Sequence, residues 1–148
     1  MSSTKTYWLD LFTGGTWKEF VDAGASVTGF RETRWNTVQK MKPGDCLLCY
    51  LTGVSRWIGV LEVTSEPFMD RTPIWKDEVF PCRVRVRLVE ALTPDTSVPV
   101  HDLLPQMKMT KDLPHPLSWT ARFRMSPTKW DAIDGELVVR AIQEAARN

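Results

Sequence analysis

The stretch "FPCRVRVRLVEAL", Phe80 to Leu92, is the most regular alternation in the chain. Val84, Val86 and Leu88 fall on one side of an extended segment, and Arg83, Arg85 and Arg87 on the other. That is the two-residue period of a β-strand with one apolar face. Such a strand needs other strands or a helix to cover that face. The chain supplies them nearby. "CLLCYLT" is a short continuous apolar run that predicts a buried strand. "RWIGVLEVTS" predicts another, with Ile58, Val60, Glu62 and Thr64 on one face and Trp57, Gly59, Leu61 and Val63 on the other. "TYWLDLFT" predicts a first strand, about Lys5 to Phe12, and "SWTARFRM" a last one, with Arg122 and Arg124 on one face.

Helices are fewer and short. In "TGGTWKEFVDAG", Thr16 and Glu19 have the spacing of a capping box, Trp17, Phe20 and Val21 share a face, and Gly24 can end the helix. "ASVTGFRETRW" is expected to be a loop, "NTVQKM" a short helix, and "KPGD" a turn. At the end Ser126 is expected to cap a turn opened by Pro127. Asp134 then precedes "GELVVRAIQEAA", whose Leu137, Val138, Ala141, Ile142 and Ala145 form an apolar stripe. The sum is an α+β chain: five to seven strands in a partly closed mixed barrel or strongly curved sheet, flanked by short helices. At 148 residues, 1–148 is expected to be a single domain.

Composition excludes some classes. No apolar run approaches the roughly 20 residues of a membrane span. The net charge of +1 does not by itself call for a polyanion. The start, "MSSTKTYWLDLF", has no basic region followed by a long apolar stretch, and the cysteine count is odd (Cys46, Cys49 and Cys82). Both point to a reducing, cytoplasmic setting. "CLLC" has metal-ligand spacing, but residues three apart on a strand face opposite ways. The only histidines, His101 and His115, lie in proline-containing loops, so no metal site is expected.

Reaction machinery is absent from the pattern. There is no nucleophile elbow, Walker loop or dinucleotide fingerprint, hence no expected cofactor. "TGG" at Thr13 to Gly15 precedes a helix but matches no phosphate loop, and a plain turn is the better reading. Pro94–Asp95 lacks the acidic-x-Lys that a common nuclease pattern requires. Asp70, Asp77 and Glu78 could gather a metal, but solvated loop charges are commoner. A catalyst is not expected.

Seven tryptophans are more than packing a core of this size requires. Trp8, Trp17, Trp57 and Trp130 fit core positions, and Trp119 stays open. Trp75 stands apart, in the aperiodic stretch "MDRTPIWKDEVF". Either the loop folds over and buries it, or the ring waits for a flat partner, as tryptophans do where bases are gripped.

The order of segments "TYWLDLF", "VTGFR…WN", "MKPGDCLLCYLTG", "WIGVLEVTSEPFMDRTPIW" and an alternating strand resembles the EVE domain family from about Thr6 to Ala145. "MKPGD", "IGVLEV" and "SEPFMD" are its most specific parts. EVE domains belong to the PUA-like superfamily and are similar to YTH domains, which read methylated adenine in RNA. The resemblance implies a barrel with a surface pocket where aromatic rings sandwich a modified base, and it gives Trp75 the role of a cage wall. Relatives often carry a tryptophan just before the glycine matching Gly29. Here Val27 and Thr28 stand there, so the second wall falls to Phe30 or Trp35. Thr13 matches a position that hydrogen-bonds the base edge. Asn36 matches a recurring asparagine and could equally cap the short helix.

The expected function is a non-catalytic module that binds DNA or RNA carrying a modified base. Its pocket would be Trp75, Phe30, Trp35, Thr13 and Asn36, with Arg31, Arg34, Arg122 and Arg124 on the phosphates. Arg83, Arg85 and Arg87 could simply be solvated. The implied setting is a monomer, without a membrane, with a separate or fused nuclease as a candidate partner. The alternative is a small-molecule or free-base binding protein, or an enzyme, using the same pocket.

Overall fold

The computed structural model describes residues 5–111 and 118–148. The predicted strands fall at Tyr7–Phe12 (β1), Cys46–Leu51 (β3), Arg56–Val63 (β4) and Cys82–Ala91 (β6). Shorter pieces are Val27–Phe30 (β2), Phe68–Met69 (β5), Val98–Pro99 (β7) and Thr128–Trp130 (β8). One path runs β2-β6-β4-β3-β1-β8, with β5 on β6 and β7 on β4. β1 and β3 are parallel and every other pair is antiparallel.

β3 is buried along its whole length, as expected of a continuous apolar run covered on both faces. The helices are Gly14–Asp22 (α1), Trp35–Val38 (α2) and Ala132–Ala146 (α3), and α3 lies across β1, β3, β4 and β6. Gly135 makes this approach possible, because a Cβ there would sit 2.4 Å from Cγ of Tyr7.

β2 and β1 are separated by three strands along the sheet path. Yet Oγ1 of Thr28 on β2 donates to Oδ2 of Asp10 on β1 at 2.8 Å, inside the protein. That contact requires the sheet to curl until its ends nearly meet. The expected α+β curled mixed sheet is therefore present, and the Asp10–Thr28 bond spans its seam.

Aromatic side chains fill the interior. Trp57 touches Tyr50, Phe123 and Trp130 at ring-centroid distances of 5.0, 5.6 and 5.4 Å. A second cluster joins Phe12, Trp17 and Phe20. Trp8, Trp17, Trp57 and Trp130 are buried, as their positions predicted. The "MKPGD" turn has a physical role too. The wholly buried carboxylate of Asp45 accepts from Thr6 N (3.0 Å), Trp8 Nε1 (3.0 Å) and Lys42 N (3.1 Å), and pairs with Lys42 Nζ at 2.8 Å. It ties the turn before β3 to the start of β1.

The fold departs from the sequence reading at several points. The stretch expected to be a loop holds β2, whose four residues are too few to show a period. "SWTARFRM" is not a strand: 118–123 winds as 3₁₀ helix, which brings the rings of Trp119 and Phe123 to 5.6 Å. Arg122 and Arg124 therefore do not share a strand face. The first cap is Thr13 with Thr16, not Thr16 with Glu19. Oγ1 of Thr13 accepts from Thr16 N at 3.0 Å, and Thr13 N donates to Oγ1 of Thr16 at 2.8 Å. α2 begins at Trp35 and ends at Val38, shorter than "NTVQKM". Ser126 and Pro127 open no helix. α3 starts at Ala132, where Oδ1 of Asp131 accepts from Ile133 N at 2.8 Å. His115 lies outside the described residues.

The alternation of β6 also breaks. Arg85 and Arg87 are exposed, but Arg83 is 1% exposed. A register shift opposite Val60 and Leu61 makes Val89 the extra residue between Leu88 and Glu90, and Leu88 and Val89 are partly exposed.

Candidate functional site

A cavity of about 360 Å³ lies where β1 ends and β2 ends, on either side of the seam. Leu11, Phe12, Thr13 and Thr16 form one wall, and Gly29, Phe30, Arg31, Thr33 and Arg34 another. Trp75, Glu78 and Phe80 come from the loop between β5 and β6, Thr52 from the turn after β3, and Arg124, Met125 and Ser126 from the segment before β8.

Five segments far apart in sequence thus meet here. Trp75, Phe30, Thr13, Arg31, Arg34 and Arg124 are brought together. Trp35, Asn36 and Arg122 are not among the walls. Trp35 instead packs half-buried against the core. Asn36 does not cap α2, whose N-cap is Arg34 with no side-chain bond.

Trp75 is 4% exposed and Phe30 2%. The partly exposed ring expected of an unoccupied cage is therefore not what the fold presents: the loop folds over, and both rings sit as inner walls. Nε1 of Trp75 donates to Thr16 O at 3.3 Å, and its ring meets Phe80 edge-on at 5.1 Å. Gly29 gives it room. A Cβ on Gly29 would lie 2.5 Å from Phe80 O and 3.1 Å from Cη2 of Trp75.

Arg83 holds the loop from behind. Its Nε donates to Phe80 O at 2.9 Å and its Nη2 to Thr72 O. Nη1 stands 3.4 Å from Oδ2 of Asp70, and the guanidinium lies 5.6 Å from the centre of the Trp75 ring. Hydrogen bonds from Thr72, with Arg83 adding to them, hold the Asp70 carboxyl below its ordinary range. The sequence placed Arg83 with the solvated arginines of its strand. Its burial depends on a loop returning over it, which strand periodicity does not record.

The rim arginines are partly engaged. Nε of Arg31 donates to Oε2 of Glu78 at 2.8 Å. Nη2 of Arg34 donates to Pro127 O at 2.8 Å, while its Nε is buried without a hydrogen-bond partner among the described residues. Nη2 of Arg124 donates to Thr120 Oγ1 at 3.3 Å. The hydroxyl of Thr13 is committed to the α1 cap. Glu78, Phe80 and the exposed Met125 were not picked out as pocket residues in the sequence, because they line the cavity only where distant segments converge.

Asp10 sits at the seam beside the cavity. Burial pushes its carboxyl up to about 8, only partly opposed by the Thr28 hydroxyl. A raised carboxyl pKa favours the neutral form in the fold. The stability it contributes is full below about pH 4 and is lost as pH rises toward about 8, with a slope of at most about 1.4 kcal/mol per pH unit. Denaturant midpoints should fall between pH 5 and 8 in the wild type and fall less in Asp10→Asn. Parallel curves for the two proteins would refute this.

Among the described residues, no three His, Cys, Asp or Glu side chains converge as metal ligands. All three cysteines are free and buried. Burial pushes the Cys46 thiol up to about 12 and raises Cys49 and Cys82 as well, which disfavours thiolate chemistry. No helix of the described residues is long and apolar enough to cross a membrane.

Comparison with known proteins follows the same outline. The family model described as EVE domain matches residues 6–135. A UPF0310 protein of Pyrococcus abyssi is 31% identical over 119 residues, covering 72% of this chain and 80% of its own length. A UPF0310 protein of Pyrococcus horikoshii is 29% identical over 99 residues, covering 57% and 67%. Among solved structures, the Mmi1 YTH domain complexed with RNA superposes with a TM-score of 0.65 at 12% identity, covering 98% of this chain and 82% of that one. A hypothetical protein of Leishmania major superposes at 0.67 with 17% identity, covering 95% and 96%. At such identities the likeness concerns the fold alone, a curled mixed sheet with short helices.

Proposed function

The chain belongs to the EVE domain family, and from that premise we propose that it is a non-catalytic, single-domain reader that binds nucleic acid carrying a modified base. The observation that carries this reading is the meeting of two aromatic walls, Trp75 and Phe30, with three arginines, Arg31, Arg34 and Arg124, around one cavity of about 360 Å³. A flat base has a π-face for the rings. Stacking contributes about 1–3 kcal/mol per base, and a methyl group adds roughly 0.8 kcal/mol of apolar burial. The arginines would hold the flanking phosphates. That the solved Mmi1 YTH domain is complexed with RNA makes a nucleic-acid partner the first one to test. A nuclease, separate or fused, would supply any cleavage, and the setting would be cytoplasmic.

The test is a screen of single- and double-stranded DNA and RNA oligonucleotides carrying methylcytosine, hydroxymethylcytosine or N6-methyladenine, against unmodified strands, with salt titration. Tighter binding of one modified strand is expected. Binding to none of them would return the pocket to the small-molecule reading, to which, among the described residues, only Glu78 contributes an acidic group.

Arg34→Ala should weaken modified and unmodified strands alike. It should flatten the slope of log K against log salt by about 0.7–0.9, the worth of one phosphate contact. A loss confined to the modified strand would instead make Arg34 a base reader.

A further inference from the structure

Among the described residues, Arg31 is the cavity-lining arginine paired with an acidic side chain that lines the cavity as well. Nε of Arg31 and Oε2 of Glu78 are 2.8 Å apart, with the two side chains 69% and 44% exposed. Glu78 lies on a short strap. At one end of the strap Trp75 is buried; at the other, Phe80 O is held by Arg83. Lys76, Asp77, Glu78 and Val79 between them are exposed. Fixed ends and an exposed middle leave the Glu78 side chain free to swing without moving Trp75. A carboxylate on a guanidinium has the charge and the oxygen geometry that a phosphodiester would bring to the same nitrogen.

We propose that Arg31 is an anion subsite at the cavity mouth, that Glu78 occupies it in the unliganded protein, and that the phosphate next to the bound nucleotide displaces Glu78. This rests on the nucleic-acid reading for the identity of the ligand, though not for the existence of the subsite. Exposed ion pairs of this kind shift an equilibrium by less than about five-fold, so the exchange is within reach of one phosphate. The contact has two consequences. A strand lacking a phosphate at that position leaves Glu78 in the mouth. Arg31 also contributes less to affinity than an unpaired arginine would, because its partner must first leave.

The test uses the full chain labelled with ¹⁵N. The Arg31 Nε–H resonance, assigned by its loss in Arg31→Lys, reports the Glu78 contact directly. Inorganic phosphate is titrated at constant ionic strength into the wild type and Glu78→Gln. The resonance should move with phosphate in the wild type. In Glu78→Gln it should start displaced, and phosphate should bind roughly three- to five-fold more tightly. With single-stranded oligonucleotides, Glu78→Gln should tighten modified and unmodified strands by a similar factor, and the gain should vanish when Arg31 is also Ala. Equal phosphate affinity in wild type and Glu78→Gln overturns the proposal, whatever the oligonucleotides do. If the phosphate response appears and no oligonucleotide binds any variant, the subsite stands and the nucleic-acid reading falls.

Discussion

Trp75→Ala should lower stability by about 3–5 kcal/mol, as truncation of a buried large aromatic does. The ring is 4% exposed, touches Phe80, faces Arg83, donates to Thr16 O and approaches Gly29. Removing it empties the loop's own core and part of the cavity wall together. Denaturant melts give the number directly, and a loss under about 1 kcal/mol would mean that the ring is not packed as described. Because the alanine variant mixes folding with binding, base preference is better read from Trp75→Phe. That variant keeps a ring and should retain most of the stability. Its preference for a modified strand should shrink, since the smaller ring covers less of the base. An unchanged preference in Trp75→Phe together with a large stability loss in Trp75→Ala would make the residue purely architectural and remove it from the proposed site.

Arg83→Ala should cost less than that, about 2–3 kcal/mol, because it strips two part-buried loop carbonyls of their donor while the ion-pair partner Asp70 is 41% exposed. The variant would leave Phe80 O and Thr72 O without their donor and Trp75 without the cation against its face. Arg83→Lys should rescue little, since an ammonium cannot reach several carbonyls in one plane. Arg85→Ala and Arg87→Ala are the internal controls. They lie on the same strand, but their side chains are in water, Arg87 paired with Glu62 at 2.7 Å. Each should change stability by less than about 1 kcal/mol. Hydrogen exchange should show residues 70–81 loosening in Arg83→Ala and not in the other two. Equal losses across the three arginines would contradict the buried clasp.

How legible the molecule was in its sequence depended on how local each signal is. β3, β4 and β6 were readable because apolar runs and alternation are set by the pleat over a handful of neighbours. The stripe of α3 was readable for the same reason, though not its start, which lies at Ala132 behind the Asp131 cap rather than after Asp134. Of the residues expected at the site, Trp75, Phe30 and Arg34 line one cavity together. Trp35 was drawn in by sequence proximity and Asn36 by the resemblance, and neither lines the cavity.

The sequence alone determined a curled α+β sheet, the ordered segments that mark the family, and the buried place of Trp8, Trp17, Trp57 and Trp130. Only the tertiary structure decided that Trp75 and Arg83 are interior, that β2 is a strand, and that Asp10 and Thr28 meet across the seam. The physical reason is range. A periodic segment carries its burial pattern within itself. An aperiodic loop acquires burial only from what it lands on, and for Trp75 that includes a carbonyl 59 residues earlier in the chain.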